Sequence, residues 1–234
     1  MLLERSFSPG MPGAGKATRW RRLHALAGAV PLGAFMLLHL IAQSAALGGR
    51  DGFVRSLSRP GSATLLALEV ALVYLPLGFH AGYGLLASVG QMRAEQRRIL
   101  PARGPLQRRT LQLGTGIVVG VFLLVHVWQF RVRLWTGGLE PGDFFDELCA
   151  SLSSTALGGV PLTALGYLIA LAAVAFHFSS GLHGAVRTWG ITLSARAARV
   201  TSGLFVALGV LLFVLGALTV IYLATGSVSL PSTG

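Results

Sequence analysis

The sequence predicts an all-α integral membrane protein built as a bundle of five transmembrane helices. Of its 234 residues, 53% are hydrophobic and only 12% are charged, which is too apolar for a soluble domain. The apolar residues fall into five segments, each long enough to cross a hydrocarbon core of ~30 Å at ~1.5 Å per helical residue. These segments run from about Leu23 to Leu47, Ala63 to Gly90, Thr110 to Trp135, Leu157 to Val186 and Val200 to Ala224.

The five segments form one domain, from residue 19 to 226. Residues 1–18 are rich in Gly and Pro and lack the apolar core of a signal peptide, so we expect a flexible cytoplasmic N-terminus. Residues 227–234 are expected to form a short outer tail. Three prolines fall inside or at the start of predicted helices and should kink or open them: Pro31, Pro76 and Pro161.

The basic residues predict the orientation in the membrane. Fourteen of the 19 Lys and Arg residues lie on the side that holds the N-terminus, and five lie on the other side. By the positive-inside bias, the N-terminus is expected in the cytoplasm. Because the number of spans is odd, the C-terminus is expected on the outer side of the cytoplasmic membrane. The net charge of +11 comes from these helix ends rather than from one basic face, so we expect a lipid bilayer as the partner and no nucleic acid.

The second segment carries ionisable side chains inside an apolar run. A carboxylate or imidazole at that depth is costly unless it is paired, ligated or near water, which makes Glu69 and His80 functional candidates. They are eleven residues apart, which at ~100° per residue places them on nearly the same helix face. Glycines beside His80 let a neighbouring helix or a flat macrocycle approach. The alternative is a histidine that only hydrogen-bonds another helix.

Four histidines lie deep, one on each of the first four segments. His39 and His126 lie roughly 24 and 25 Å from the cytoplasmic ends of their helices, whereas His80 and His177 lie only ~15 Å from theirs. Two imidazoles at each of two depths are what axial ligation of two stacked b-type haems requires. The sequence therefore predicts two haems b that carry electrons.

Other assignments of these histidines fit less well. A zinc or copper site needs three or four ligands at one depth, whereas only two of the deep histidines share each depth. The scaffold of respiratory-chain cytochrome b places two histidines a little under four turns apart on each of two helices; His24 and His39 are fifteen apart, and no other helix repeats that spacing. Four unconnected core histidines remain an alternative.

Two further histidines are not expected to be iron ligands. His183 is six residues after His177, roughly 240° around the helix, so the two cannot face the same haem, and His183 is expected near the inner interface. His24 follows Arg21 and Arg22 and either reaches a haem propionate or lies in the headgroup region, and we favour the headgroup region.

Several short sequence words, in this order, resemble one family. They are Arg21-Arg22-Leu23-His24, Leu38-His39-Leu40, Leu68-Glu69, Leu75-Pro76-Leu77, His80-Ala81-Gly82-Tyr83-Gly84, His126-Val127-Trp128, Phe176-His177-Phe178-Ser179 and Thr188-Trp189-Gly190. The chain resembles, over about residues 18 to 224, the single-polypeptide, five-helix, di-haem cytochrome b subunit of succinate:quinone oxidoreductases that use menaquinone.

The resemblance implies a distal haem on His39 and His126 and a proximal haem on His80 and His177. It also implies two soluble partners on the cytoplasmic face: an iron–sulfur subunit and a flavoprotein with covalently bound FAD. Neither chemistry belongs to this chain, which has one cysteine, Cys149, and no dinucleotide-binding fingerprint.

The predicted quinone site lies near the distal haem. Glu69 is expected at nearly the depth of His39 and is a candidate for transferring the proton that quinone chemistry requires. Gln43, one turn beyond His39, is a candidate hydrogen-bonding neighbour. Arg131 is a candidate propionate or quinone contact and Arg133 a candidate propionate partner, and the alternative for both is an interface anchor. The alternative for Glu69 is a hydrogen bond to a neighbouring helix.

These expectations combine into one leading function. The chain is expected to be the membrane subunit of an enzyme, succinate dehydrogenase, that passes electrons from the iron–sulfur subunit through two b haems to menaquinone. The alternatives are the cytochrome b subunit of fumarate reductase, of a hydrogenase or of a formate dehydrogenase, and a non-redox transporter or scaffold. The sequence does not determine whether the enzyme oxidises succinate or reduces fumarate, nor whether the complex forms a higher oligomer.

Overall fold

A computed structural model of the chain describes residues 14–56, 63–96, 105–155, 159–191 and 194–225. Within these ranges, five helices are long and apolar enough to cross a membrane. We call them spans I to V: Thr18–Ser56, Leu66–Gly90, Arg109–Trp135, Leu162–Thr188 and Ala195–Thr225. The all-α, five-span prediction is confirmed, and the protein is a multi-pass membrane protein. The predicted tail 227–234 and most of the predicted N-terminal segment lie outside the described residues.

The outward faces of the spans are strongly apolar. Leu38 on span I, Leu86 on span II and Leu124 on span III are 68%, 74% and 75% exposed, values that a water-soluble bundle would not tolerate in such number. In a bilayer these side chains contact lipid. Packing between spans then depends on close contact of small residues rather than on burial from water.

Spans IV and V show that kind of contact. A Cβ at Gly209 of span V would lie 3.0 Å from the carbonyl oxygen of Ala175, and one at Gly216 would lie 2.7 Å from a methyl group of Leu171. The two glycines therefore let span V approach span IV closely. Span V continues as one α-helix, Ala195–Thr225, and span IV as one α-helix, Leu162–Thr188, which begins directly after Pro161.

Spans I to III are interrupted by π-helical turns. In span I, helices Ala14–Ala27 and Gly33–Ser44 flank the turn Gly28–Leu32. In span II, helices Ala63–Glu69 and Leu75–Gln96 flank the turn Val70–Tyr74. In span III, helices Pro105–His126 and Arg133–Trp135 flank the turn Val127–Val132. Pro31 lies in the first of these turns and Pro76 follows the second. Proline has no N–H to donate to the preceding turn of an α-helix, which favours a local π-helical pattern.

Span I does not continue straight to its last residue. A 3₁₀ turn, Ala45–Gly48, leads to Gly49, whose φ of +78° is a backbone conformation that glycine adopts readily. The chain then reverses into helix Gly49–Ser56, whose Ser56 hydroxyl donates to the Ala42 carbonyl at 3.0 Å. The membrane-crossing part of span I therefore ends at Gly48.

A small helix, Phe144–Ser153, covers the end of the bundle that the sequence predicts to be outer. We call it the loop helix. Its Leu148, Cys149 and Leu152 pack with Phe53 into the most buried cluster of the described residues. Two ion pairs tie it to the spans: Arg50 to Asp146 at 3.0 Å, and Arg133 to Glu147.

Candidate functional site

The four deep histidines come together in the structure as two pairs. The ring centres of His39 and His126 are 5.9 Å apart with the ring planes at 83°, and those of His80 and His177 are 6.2 Å apart at 78°. Spans I and III supply the first pair, and spans II and IV supply the second. We call them the outer pair and the inner pair.

The separation within each pair matches a shared metal atom. A metal–imidazole bond is about 2.0–2.1 Å long and the ring centre lies ~1.1 Å behind the bonding nitrogen, so two axial imidazoles on one metal hold their ring centres ~6 Å apart. Both observed distances lie close to that value. The spacing of each pair would therefore suit two imidazole ligands on one iron.

The inner pair is held by hydrogen bonds that direct Nε2 toward a ligand. The Nδ1–H of His80 donates to the carbonyl of His24 at 3.1 Å, and the Nδ1–H of His177 donates to the carbonyl of Gln112 at 3.1 Å. A carbonyl can only accept, so each ring carries its proton on Nδ1 and leaves Nε2 free for metal. The Gln112 side chain also donates to the main-chain carbonyl of His177 at 3.0 Å, which fixes that contact from both sides.

Two glycines make room for the inner pair. A Cβ at Gly28 of span I would lie 2.4 Å from Cε1 of His80, and a Cβ at Gly116 of span III would lie 2.9 Å from Cε1 of His177. Any larger residue would push the ring out of its position.

The outer pair has a side-chain partner. Nδ1 of His126 lies 3.1 Å from the hydroxyl of Tyr167 on span IV, while His39 stacks on Phe35 with ring centres 5.5 Å apart. With the Nδ1–H as donor to this hydroxyl, Nε2 of His126 is left for a metal. The π-helical turn Val127–Val132 begins directly after His126, and such turns are frequent at functional sites.

The donor set fits haem. Among the described residues, no group of three or more His, Cys, Asp or Glu side chains could hold a metal ion, which is what a structural zinc site would need. Each pair instead offers two imidazoles, the number of axial positions on a haem iron, in an apolar interior. Residues in this arrangement would hold one b haem per pair.

Glu69 and Arg131 form an ion pair between spans II and III. The Tyr74 hydroxyl donates to Glu69 at 3.3 Å, and the Arg131 guanidinium lies 5.2 Å from the ring centre of Trp135. The counter-charge accounts for a carboxylate inside a span, and both side chains remain about one-quarter exposed, at 25% and 28%. We call Glu69, Arg131, Tyr74 and Trp135 the outer polar cluster.

The outer polar cluster bears on three predicted site residues. Contact with span III is what the structural alternative for Glu69 predicts, and partial exposure is what a proton-transfer role requires, so both roles fit the geometry. Arg131 directs its guanidinium to Glu69. Gln43 is half-buried one turn beyond His39, and its contact with quinone stays a prediction.

A comparison with known proteins identifies the family. The chain is 34% identical over 185 residues to the succinate dehydrogenase cytochrome b558 subunit of Bacillus subtilis (strain 168), an alignment that covers 78% of this chain and 85% of the relative. The chain belongs to the succinate dehydrogenase cytochrome b subunit family. No protein-family model matches it. The chain is thus a membrane cytochrome b anchor, as the sequence resemblance predicted.

His24 lies beside one of the two pairs in this cytochrome b subunit. Its ring stacks on His80 with centres 4.1 Å apart and planes 7° apart, and its Nε2 would lie 3.0 Å from a Cβ at Gly84. The residue lies against the inner pair, and its expected place in the headgroup region stays a prediction. The signal in the sequence was its spacing: His24 and Gly28 are four residues apart, on one helix face.

His183 lies on a different side of span IV. It lines, with Arg187 and Thr201, a cavity of about 200 Å³ between spans IV and V, at the end that the sequence predicts to be cytoplasmic. Sequence reasoning also missed two residues that hydrogen-bond the deep histidines across spans, Gln112 with His177 and Tyr167 with His126. Both are polar residues in apolar helices, which is the signal that could have found them.

Proposed function

We propose that the chain binds two b haems and conducts electrons from an iron–sulfur subunit to menaquinone as the membrane subunit of a succinate dehydrogenase. The observation that carries the proposal is the ~6 Å spacing of the two imidazole pairs together with their bonded Nδ1 atoms. The two imidazoles of each pair would hold a b haem, which would supply single-electron transfer rather than oxygen binding.

The outer and inner pairs hold the distal and proximal haems in this proposal. His39 and His126 would ligate the distal haem, and His80 and His177 the proximal one. The Nδ1 hydrogen bonds fix the tautomer of three of these rings before haem binds, so little reorganisation is needed. Gly28 and Gly116 keep the space beside the proximal ligands open.

The partner subunits are expected at the inner end, nearest the proximal pair. The relative's name places it in succinate dehydrogenase, and this chain should likewise assemble with an iron–sulfur subunit and an FAD-containing flavoprotein, which carries out the dicarboxylate chemistry. Arg22 joins spans I and IV there: its Nε donates to the Thr188 carbonyl at 3.4 Å, and its guanidinium lies 5.9 Å from the Trp189 ring centre. This contact gives the partners a fixed surface near the proximal haem.

The outer polar cluster is the proposed menaquinone site. Trp135 and Tyr74, with ring centres 6.1 Å apart, offer flat apolar surface to a fused quinone ring. Arg131 can donate a hydrogen bond to a quinone carbonyl oxygen, and Glu69 can supply or accept the proton that accompanies electron transfer. Gln43 would be a further polar contact on span I.

Reduction by succinate tests the proposal. In the complex purified with its co-expressed partner subunits, succinate should reduce both b haems, and a menaquinone analogue should reoxidise them. Haems that are present but are not reduced by succinate would assign the chain to another dehydrogenase. Absence of haem from a folded, assembled chain would favour the non-redox scaffold.

A further inference from the structure

A chain of hydrogen bonds leads from the outer pair to the loop helix. His126 Nδ1 lies 3.1 Å from the Tyr167 hydroxyl, that hydroxyl lies 3.3 Å from Oε1 of Gln129, and Nε2 of Gln129 lies 2.9 Å from the Ser151 hydroxyl. We propose that Tyr167 is a positioning residue that, through this chain, sets the ring orientation of His126 and the midpoint potential of the distal haem. The inference rests on the proposed function, because it assumes that His126 ligates that haem.

The donors and acceptors of the chain run in one direction. Gln129 uses its amide N–H to donate to Ser151, so its carbonyl oxygen is the atom that faces Tyr167 and accepts the hydroxyl hydrogen. With its hydrogen so engaged, the Tyr167 oxygen must accept from His126, whose Nδ1 therefore carries a proton. The chain fixes the tautomer that leaves Nε2 for iron.

Aromatic rings shield this chain. Phe122 meets Tyr167 edge-on, with ring centres 4.9 Å apart and planes at 88°, and it stacks beside His126 at 5.3 Å. Phe130 lies on the His126 ring as well, with centres 5.3 Å apart, and is 8% exposed. Hydrogen bonds in such apolar surroundings are stronger than in water and polarise one another.

The electronic consequence follows from the acceptor on Nδ1–H. An acceptor draws the proton away from the ring and raises the basicity of Nε2. A more basic ligand stabilises the oxidised iron, which lowers the midpoint potential of its haem. Removal of the Tyr167 hydroxyl should therefore raise the potential of the distal haem.

The inner pair provides an internal reference. His80 and His177 donate to main-chain carbonyls, which a side-chain substitution leaves in place. A substitution at Tyr167 should consequently change one haem and not the other. A general loosening of the fold would not be confined to the distal haem in this way.

The test is a redox titration of the complex purified with its partner subunits. The distal haem is identified as the signal that His39→Ala removes. In Tyr167→Phe its midpoint potential should rise while that of the proximal haem stays unchanged. Gln129→Leu, which leaves the His126 bond in place but removes the acceptor of the Tyr167 hydroxyl, should raise the same potential by less. Tyr222→Phe is the matched control. Tyr222 is half-buried and packs, like Tyr167, on the hydrophobic cluster of Phe53, Leu148 and Leu152, and its substitution should shift the potential of neither haem.

Three results would overturn the inference: no shift in a Tyr167→Phe complex that retains both haems, equal shifts at both haems, or the same shift in Tyr222→Phe. If Tyr167→Phe loses the distal haem, Gln129→Leu decides, and an unchanged distal potential there overturns the inference. A wild-type complex with fewer than two haems would instead overturn the proposed function itself.

Discussion

Replacing Gly116 by alanine should weaken binding of the proximal haem specifically. The new Cβ would lie 2.9 Å from Cε1 and 3.3 Å from Nδ1 of His177, whereas ordinary contact begins at 3.4 Å, so the ring must withdraw by at least the 0.5 Å difference. Such overpacking costs about 1–3 kcal/mol, and ligand positions tolerate only about 0.5 Å. At RT of ~0.59 kcal/mol, this corresponds to haem binding weaker by ~5-fold to ~150-fold, since 1.4 kcal/mol is about tenfold.

The assay measures the rate at which each haem transfers to excess apomyoglobin. The two separate b-haem signals report the loss of each haem. Gly114→Ala is the matched control, because Gly114 lies on the same span two residues away, about 200° around the helix, and a Cβ there meets no atom within 4 Å. The proximal haem of Gly116→Ala should leave faster and the distal haem should not. Preferential loss of the distal haem, or equal behaviour of Gly114→Ala, would refute the reasoning.

Three further results are expected. Gly28→Ala should release the proximal haem more readily than Gly116→Ala, since its Cβ would lie 2.4 Å from His80; equal or weaker loss in the same transfer assay would argue against the steric account. Glu69→Gln should lower menaquinone turnover by ~10² to 10⁴ while succinate still reduces the haems, as expected for a positioned acid or base. Glu147→Gln, which loses a comparable ion pair, is its control, and near-normal turnover in Glu69→Gln would leave Glu69 with a structural role only. His24→Ala should retain both haems by spectroscopy, because the main-chain carbonyl that accepts from His80 stays in the variant. Loss of a haem would show that the stacked imidazole ring of His24 is required.

The features that could be predicted from the sequence are those that depend on a single helix. Length and hydropathy determine the five spans, and the depth of each histidine follows from its distance to a helix end. That is why the same two pairs, His39 with His126 and His80 with His177, could be expected before their rings were located. The helix period also indicated that His183 points away from His177.

The features that could not be predicted depend on contacts between spans. The period of span I does not indicate that Gly28 meets His80. The polarity of Tyr167 marks it as a candidate but does not indicate that it reaches His126, because the relative rotation and shift of two helices arise from packing. The π-helical turns add to this, since each changes the helix face that follows it. The ion pairs by which Asp146 and Glu147 attach the loop helix to spans I and III are likewise contacts between separate elements.

The central claim is that four histidines form two haem sites, and one set of variants tests it most directly. Each ligand is replaced by alanine in turn, and the two b-haem signals are measured in reduced-minus-oxidised spectra of the purified complex. The account predicts two haems per chain in the wild type, with His80→Ala and His177→Ala losing one signal and His39→Ala and His126→Ala losing the other. Loss of the same signal in His80→Ala and His126→Ala, or a wild-type content of one haem or none, would contradict it.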